Sequence, residues 1–293
     1  MRRTMLFVPG NSPAMLLNAD IHGADALIFD LEDAVTPAEK DAARVLVRKA
    51  VQALGYSGCE IIIRINPLDS AYIKQDIDAM VPLRPALFMP TKVASAEEVK
   101  QISAMVAAAE IAYGIASGSI GLIPLLETAA GIEHAYEIAR SDPRVKAIFL
   151  GAEDLTSDLQ AIRSKQGDEI LYARGRVVIA ARAAGIDAYD TPFTDVNDEE
   201  GLEKDARFAR SLGFSGKAVI SPRHVTAVNV VFSPSQIEIE YARQVMAAIE
   251  EGERLGKGAV SLNGKMVDKP IVDRARRVLD AARALGLGGI EDA

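Results

Sequence analysis

Two acids that follow successive apolar runs, Glu127 after residues 120–126 and Asp154 after residues 147–150, are the groups best placed to hold a hard metal ion. A pair of carboxylates with no nearby His or Cys suits Mg²⁺, which takes one or two carboxylates and leaves its other positions to water and substrate. Each acid also precedes a helical stretch, where the helix dipole favours a carboxylate, so capping is the competing role. Glu153 competes with Asp154, because a one-residue error in strand phase exchanges them. Arg64 ends the run Ile61-Ile62-Ile63 and, on a period of two, shares a face with Ile62 and Asn66. A guanidinium there can grip a substrate carboxylate with two hydrogen bonds or steady an enolate. It can equally pair with Asp30, Glu32 and Asp33 on the preceding strand, and the two roles are compatible. That acidic cluster could supply a carboxylate behind the metal ligands or a base. His22, His134 and His224 show neither a Ser–His–Asp order nor a metal-binding spacing. The Gly10-Asn11-Ser12 turn offers backbone N–H groups to a phosphate, as a weak motif.

The elements that would carry these groups are short, continuous apolar runs, as expected of strands buried on both faces. They lie at residues 5–8, 26–29, 61–63, 87–89, 120–126, 147–150, 186–189 and 218–220, and helical stretches separate them. Eight such repeats predict a (β/α)₈ barrel (a TIM barrel), whose active site collects the C-terminal ends of the strands. Helices are predicted at about 12–21, 38–53, 68–80, 95–113, 129–140, 155–163, 167–184, 197–212 and 223–231. We therefore expect a catalytic barrel over residues 1–232 and a C-terminal extension over 233–293. The extension opens with a long helix from Gln236, with Ile237, Tyr241, Val245 and Ile249 near one face. A glycine-punctuated segment, residues 256–268, then leads to a last helix. By itself it reads as a connector, with a lid or an arm to a neighbouring subunit as the alternative.

The 293-residue chain fits a barrel of roughly 250 residues plus that extension. Its net charge of −8 argues against nucleic-acid binding. The single cysteine, Cys59, precludes an intramolecular disulfide and a Cys₂ or Cys₄ zinc site, and reads as buried filler. The N-terminal apolar stretch is broken by Pro9-Gly10, short of a signal peptide, and no run is long enough to span a membrane. A cytoplasmic protein with no membrane partner is the expectation.

The blocks Met5-Leu6-Phe7-Val8-Pro9-Gly10, Phe29-Asp30-Leu31-Glu32-Asp33-Ala34-Val35, Arg64-Ile65-Asn66, Leu126-Glu127, Gly151-Ala152-Glu153-Asp154-Leu155 and residues 261–268, SLNGKMVD, occur in this order. Together they resemble the citrate lyase β-subunit (citryl-CoA lyase) family, within the HpcH/HpaI aldolase and malyl-CoA lyase group, over essentially the whole chain. The resemblance implies a Mg²⁺-dependent (β/α)₈ barrel that cleaves a C–C bond in a 3-hydroxyacyl thioester, such as citryl-CoA or a citryl acyl carrier protein, in the retro-Claisen sense. It implies Glu127 and Asp154, rather than Glu153, as metal ligands and Arg64 as the substrate-binding, enolate-steadying arginine. It also implies Asp268 as a catalytic acid on a C-terminal segment that closes over an adjacent subunit, which replaces the connector reading. Asp33 and Glu32 are then candidate substrate contacts. The implied partners are a CoA- or carrier-linked hydroxy acid, citrate lyase complex subunits, and further copies of the chain in a trimer or hexamer. Pro90-Thr91-Lys92 and Ser221-Pro222-Arg223 depart from the family's pattern, so Lys92 and Ser221 are left without roles. The rival activities are a malyl-CoA or citramalyl-CoA lyase and a malyl-CoA thioesterase. A non-catalytic structural subunit is the rival outside the enzymes.

Overall fold

The apolar runs form short strands in the computed structural model, which describes residues 1–255, 260–262 and 264–287. They are β1 (Thr4–Pro9), β2 (Ala26–Asp30), β3 (Glu60–Ile65), β4 (Leu87–Pro90), β5 (Gly121–Leu122), β6 (Leu125–Leu126), β7 (Ala147–Leu150), β8 (Asp187–Asp190) and β9 (Gly216–Val219). One parallel sheet holds them in the order β5-β4-β3-β2-β1-β9-β8-β7-β6. The strands at the two ends of that order belong to one run of sequence. Residues 120–126, expected as a single strand, are interrupted at Ile123-Pro124, where proline has no N–H to give. Ile123 N still donates to Phe88 O at 2.8 Å, and Phe149 N donates to Pro124 O at 3.0 Å. The run is thus bonded to β4 on one side and β7 on the other, and the sheet curls until its edges meet in the chain.

Between the strands lie α1 (Pro13–Leu17), α2 (Lys40–Leu54), α3 (Ile73–Met80), α4 (Ala96–Ala112), α5 (Ala129–Glu133), α6 (Ala135–Ala139), α7 (Ala152–Asp158), α8 (Leu171–Ala184) and α9 (Glu199–Leu212). The helix α10 (Arg223–Phe232) follows β9. Some differ from the expected spans for local reasons. The helix expected over 68–80 begins only at Ile73, because Ser70 N closes a turn onto Pro67 O. The one expected over 129–140 breaks at His134, whose ring Nδ1 lies 2.9 Å from Ala94 O. The one expected over 155–163 starts at Ala152 and ends before Gln160, which sits at φ 55°.

Period-two alternation divides the strand residues between two layers. Met5, Ile28, Ile62, Met89, Leu125 and Phe149 belong to one buried cluster, while their neighbours Leu6, Leu27, Ile63 and Phe88 are equally buried. Each such side chain contributes about 1.5–3 kcal/mol on burial.

Backbone contacts divide the chain into two compact units, Arg2–Asn229 and Val230–Ala293 together with Met1. In the second, α11 (Gln236–Arg254) starts with a capping box formed by Ser235 and Glu238. It is followed by the hairpin β10 (Val260–Leu262) and β11 (Lys265–Val267), then α12 (Lys269–Ala284). The expected apolar stripe of α11 holds at Val245 and Ile249, which pack in one cluster, but not at its first two members. Ile237 and Tyr241 are exposed, and the buried face is Ile239, Ala242 and Val245, the last two packed with Val267, Val272 and Ala275. Gly252 lets the hairpin approach, since a Cβ there would lie 2.2 Å from Val260 Cγ2. Residues 256–259 and 263 of the glycine-punctuated segment lie outside the described residues.

A buried ion network ties α8 and α9 to β8 and β9. Arg174 Nε and Nη2 donate to the Asp190 carboxylate at 3.0 and 2.9 Å, and Nη2 also donates to Asp205 Oδ1 at 2.6 Å. Lys217 Nζ donates to Asp190 Oδ2 and Thr191 O, both at 2.6 Å. All four charged side chains are nearly inaccessible. Removing one partner strands the others in low dielectric. Asp190→Asn is therefore expected to cost about 3–5 kcal/mol in urea unfolding; a loss below about 1 kcal/mol would mean that water reaches the network.

Candidate active site

Asp30 and Arg64 are register partners on β2 and β3. Arg64 Nε donates to Asp30 Oδ1 at 2.7 Å, Nη2 donates to Oδ2, and Nη1 lies 3.3 Å from Glu32 Oε2. Asp30 also accepts from Glu32 N at 2.8 Å and Ala34 N at 3.2 Å, which fixes the loop after β2. Beneath the guanidinium lies the Phe7 ring, with Cζ 5.1 Å from its centroid. Burial works against the charge on Arg64, but Asp30, Glu32 and Glu127 outweigh it and raise its pKa. The pairing with the acidic cluster is therefore real, and the arginine is a permanent, oriented cation.

Glu127 directly follows β6, and Asp154 lies in the first turn of α7, just past β7. Two features hold these neighbouring strand ends close. Gly151 leaves room for Glu127, since a Cβ at residue 151 would lie 2.8 Å from both Cβ and Oε2 of Glu127. Ala152 N donates to Thr191 Oγ1 at 3.2 Å, which anchors the start of α7. Glu127 is 4% exposed, and its carboxyl is pushed up to about 8, first by burial and then by the charge of Asp154. The Oδ2 atom of Asp154 is buried without a hydrogen-bond partner. Two carboxylates on one cavity, one with an oxygen that accepts no hydrogen bond, fit a hard divalent cation such as Mg²⁺. Among the described residues no group of three or more His, Cys, Asp or Glu side chains is arranged around a metal site. Water and substrate would complete the shell. Both acids line a cavity of about 280 Å³ together with Arg64 and Asp33.

Lys92, left without a role by the sequence, sits at the centre of this constellation. It follows β4 in the left-handed region, at φ 56°. Its backbone N donates to Glu127 Oε1 at 2.8 Å, and Nζ donates to Glu32 Oε1 at 2.7 Å. Nζ also lies 3.4 Å from Asp154 Oδ2 and 3.7 Å from Asp33 Oδ1. Burial opposes its charge, but the hydrogen bond to Glu32 and the surrounding acids raise its pKa above the ordinary lysine value. The available signal was position: Lys92 is a cation just past a strand end, on the same rim as Arg64.

The remaining candidates are distributed differently. Glu32 is buried, with Oε2 accepting from Asp33 N at 2.8 Å, and burial raises its pKa most. Asp33 is exposed and faces the cavity. Glu153 also borders the cavity but pairs with Arg163 at 3.2 Å. Asp190, which ends β8, is consumed by the ion network. Ser221 Oγ accepts from Arg223 N at 3.4 Å. Asp268 lies in the C-terminal unit, exposed, where it caps α12 by accepting from Ile271 N at 3.3 Å. Cys59 is half-buried rather than buried, because it precedes β3 and lies outside the core layers.

The sequence profile described as HpcH/HpaI aldolase/citrate lyase matches residues 3–222. Citrate lyase subunit beta of Leuconostoc mesenteroides subsp. cremoris is 46% identical over 284 residues, covering 97% of this chain and 94% of that protein. A (3S)-malyl-CoA thioesterase of Cereibacter sphaeroides is 33% identical over 287 residues, covering 98% and 96%. Among solved structures, protein CitE from Mycobacterium tuberculosis, in complex with magnesium, acetoacetate and coenzyme A, superposes with a TM-score of 0.79 at 31% identity. That match covers 96% of this chain and 98% of the other.

The close approach at Gly151 can be tested directly. Gly151→Ala should displace the Glu127 carboxylate and weaken Mg²⁺ binding by about tenfold or more, the scale of disturbing a ligand's immediate support. Calorimetric titration would measure it; an affinity within twofold of wild type, in a folded variant, would show that this space does not set the position of Glu127.

Proposed function

Because the chain belongs to the HpcH/HpaI aldolase/citrate lyase family, we propose that it is a Mg²⁺-dependent carbon–carbon lyase. Its substrate would be a 3-hydroxyacyl thioester, with citryl-CoA or a citryl acyl carrier protein cleaved to oxaloacetate and an acetyl thioester. The observation that carries this reading is the convergence of Glu127, Asp154, whose Oδ2 has no hydrogen bond, and the charged Arg64 on one cavity. In this reading Glu127 and Asp154 hold the metal, which when bound supplies Lewis-acid charge that lowers a hydroxyl pKa and steadies an adjacent anion. Arg64, locked by Asp30, presents fixed positive charge where the enolate oxygen of the leaving thioester develops. Because both Asp30 oxygens hold it, that charge needs no reorganisation during the reaction. Asp33, exposed at the cavity edge, is a substrate contact, whereas Glu32 holds the two cations in place. Asp268 would protonate the enolate carbon as a general acid.

The curled sheet is read here as a (β/α)₈ barrel whose fifth strand is split, and the segment bearing Asp268 as a lid that serves a neighbouring subunit of a homo-oligomer. The barrel would be the catalytic domain and residues from about 233 onward the lid-bearing one. A citrate lyase complex, with its carrier protein, is the fitting assembly. Among the described residues no helix is long and apolar enough to cross a membrane, and we assign the enzyme to the cytoplasm. The malyl-CoA thioesterase relative favours one second reading, in which the same site acts on malyl-CoA and water ends the thioester.

Glu127→Gln and Asp154→Asn should each abolish most Mg²⁺ binding and lower citryl-CoA cleavage by roughly 10²-fold or more while leaving the fold intact. Wild-type turnover at limiting Mg²⁺ in either variant would remove that residue from the metal site. The shared-site reading makes a separate demand. Inactive Asp268→Asn chains reassembled with inactive Glu127→Gln chains should regain activity, since some sites would combine both intact residues. No recovery in verified mixed oligomers would confine Asp268 to its own chain or exclude it from catalysis.

A further inference from the structure

We propose that Lys92 is a built-in counter-cation that competes with Mg²⁺ for Asp154 and thereby sets how tightly the site holds its metal. The inference rests on the Mg²⁺ reading above. Its starting point is that one residue reaches both acids assigned to the metal, by two different groups. The backbone N of Lys92 holds Glu127 Oε1 at 2.8 Å, while Nζ stands 3.4 Å from Asp154 Oδ2, the oxygen without a hydrogen-bond partner. This double reach depends on the left-handed backbone at φ 56°, a conformation that costs a non-glycine residue energy and persists only where the surroundings impose it.

Nζ is anchored to one side by its 2.7 Å hydrogen bond to Glu32 Oε1. The side chain is 38% exposed, so the ammonium is only part-buried. A lysine is a compact charge on a flexible stem. It can relieve the repulsion between the acids in the metal-free protein without filling a multidentate shell. A Mg²⁺ ion held by Asp154 would share that carboxylate with the ammonium, so each cation would weaken the other's hold. Lys92 therefore trades metal affinity for a pre-formed arrangement of carboxylates. Arg64 cannot substitute, since Asp30 holds its Nε and Nη2.

The test is calorimetric titration of Mg²⁺ into the full-length chain without substrate, for wild type, Lys92→Met and Lys92→Arg. Loss of the charge should tighten Mg²⁺ binding by roughly tenfold or more, a cautious fraction of a unit charge's effect at this range. The arginine variant, which keeps the charge, should stay near wild-type affinity. Turnover should fall in Lys92→Met even with saturating Mg²⁺, because Glu32 Oε1 loses its hydrogen bond. A purely structural lysine would instead lower the melting temperature and weaken or leave unchanged the metal affinity. If Lys92→Met does not fold, Lys92→Gln serves the same comparison. Equal or weaker Mg²⁺ binding in the folded uncharged variant overturns the proposal. Wild-type binding that is indifferent to Glu127→Gln and Asp154→Asn overturns the metal reading itself, and this inference with it.

Discussion

Anions held together away from water repel one another, and this repulsion governs what else the C-terminal rim of the curled sheet must contain. Asp30, Glu32 and Glu127 are each no more than 4% exposed, and Asp154 has a buried oxygen beside them. Such a group is stable only if positive charge and N–H donors are fixed among the carboxylates. Arg64 supplies charge from below, held by both oxygens of Asp30. Lys92 supplies it from the rim, and the backbone N–H groups of Glu32, Asp33, Ala34 and Lys92 supply the rest. Glu127 still feels the charge of Asp154 as well as its own burial, and it is between these two that a divalent cation is proposed. On the proposed reading, the metal would complete this electrostatic balance.

The strands and their polar ends were legible because a strand buried on both faces writes itself as a continuous apolar run, and its end as the first charge. Period two also placed Arg64 on the face of Ile62 and beside the acids of the preceding strand. Three things were not legible, for physical reasons. The importance of Lys92 depends on a left-handed turn that nothing in Pro90-Thr91-Lys92 announces, because no glycine or asparagine marks it. Asp190 ends its apolar run as the other acids do, yet its partner Arg174, and the Asp205 that shares this arginine, come from helices whose phase relative to β8 is set only by packing. The stripe of α11 was legible at Val245 and Ile249 but not at its start, because Ile237 and Tyr241 are apolar yet exposed, and hydrophobicity alone does not say which apolar residues find a partner.

The buried network and the cavity are mechanically connected. Lys217 binds the carbonyl of Thr191 as well as Asp190, and the hydroxyl of Thr191 receives the N–H of Ala152 at the head of the helix that bears Asp154. Four charged groups with no contact to the cavity acids therefore set the starting point of α7. Gly151 completes the arrangement, since the same turn must pass against Glu127 with no side chain between them. One candidate metal ligand is thus positioned by backbone anchoring and the other by the absence of a Cβ.

The order of the strands also bears on how the chain acquires its shape during synthesis. β1 pairs with β2 on one side and with β9 on the other, and β9 is the last strand of the sheet to leave the ribosome. Until then the N–H and C=O groups along one edge of Thr4–Leu6 have no sheet partner, and an unpaired apolar edge invites pairing with another chain. Two arginines, Arg2 and Arg3, immediately precede this strand, and paired charge of that kind discourages strand stacking. In the finished protein they are drawn into ion pairs with Glu60 and Asp25, so charges suited to guarding the nascent edge end by fastening neighbouring segments of the finished sheet.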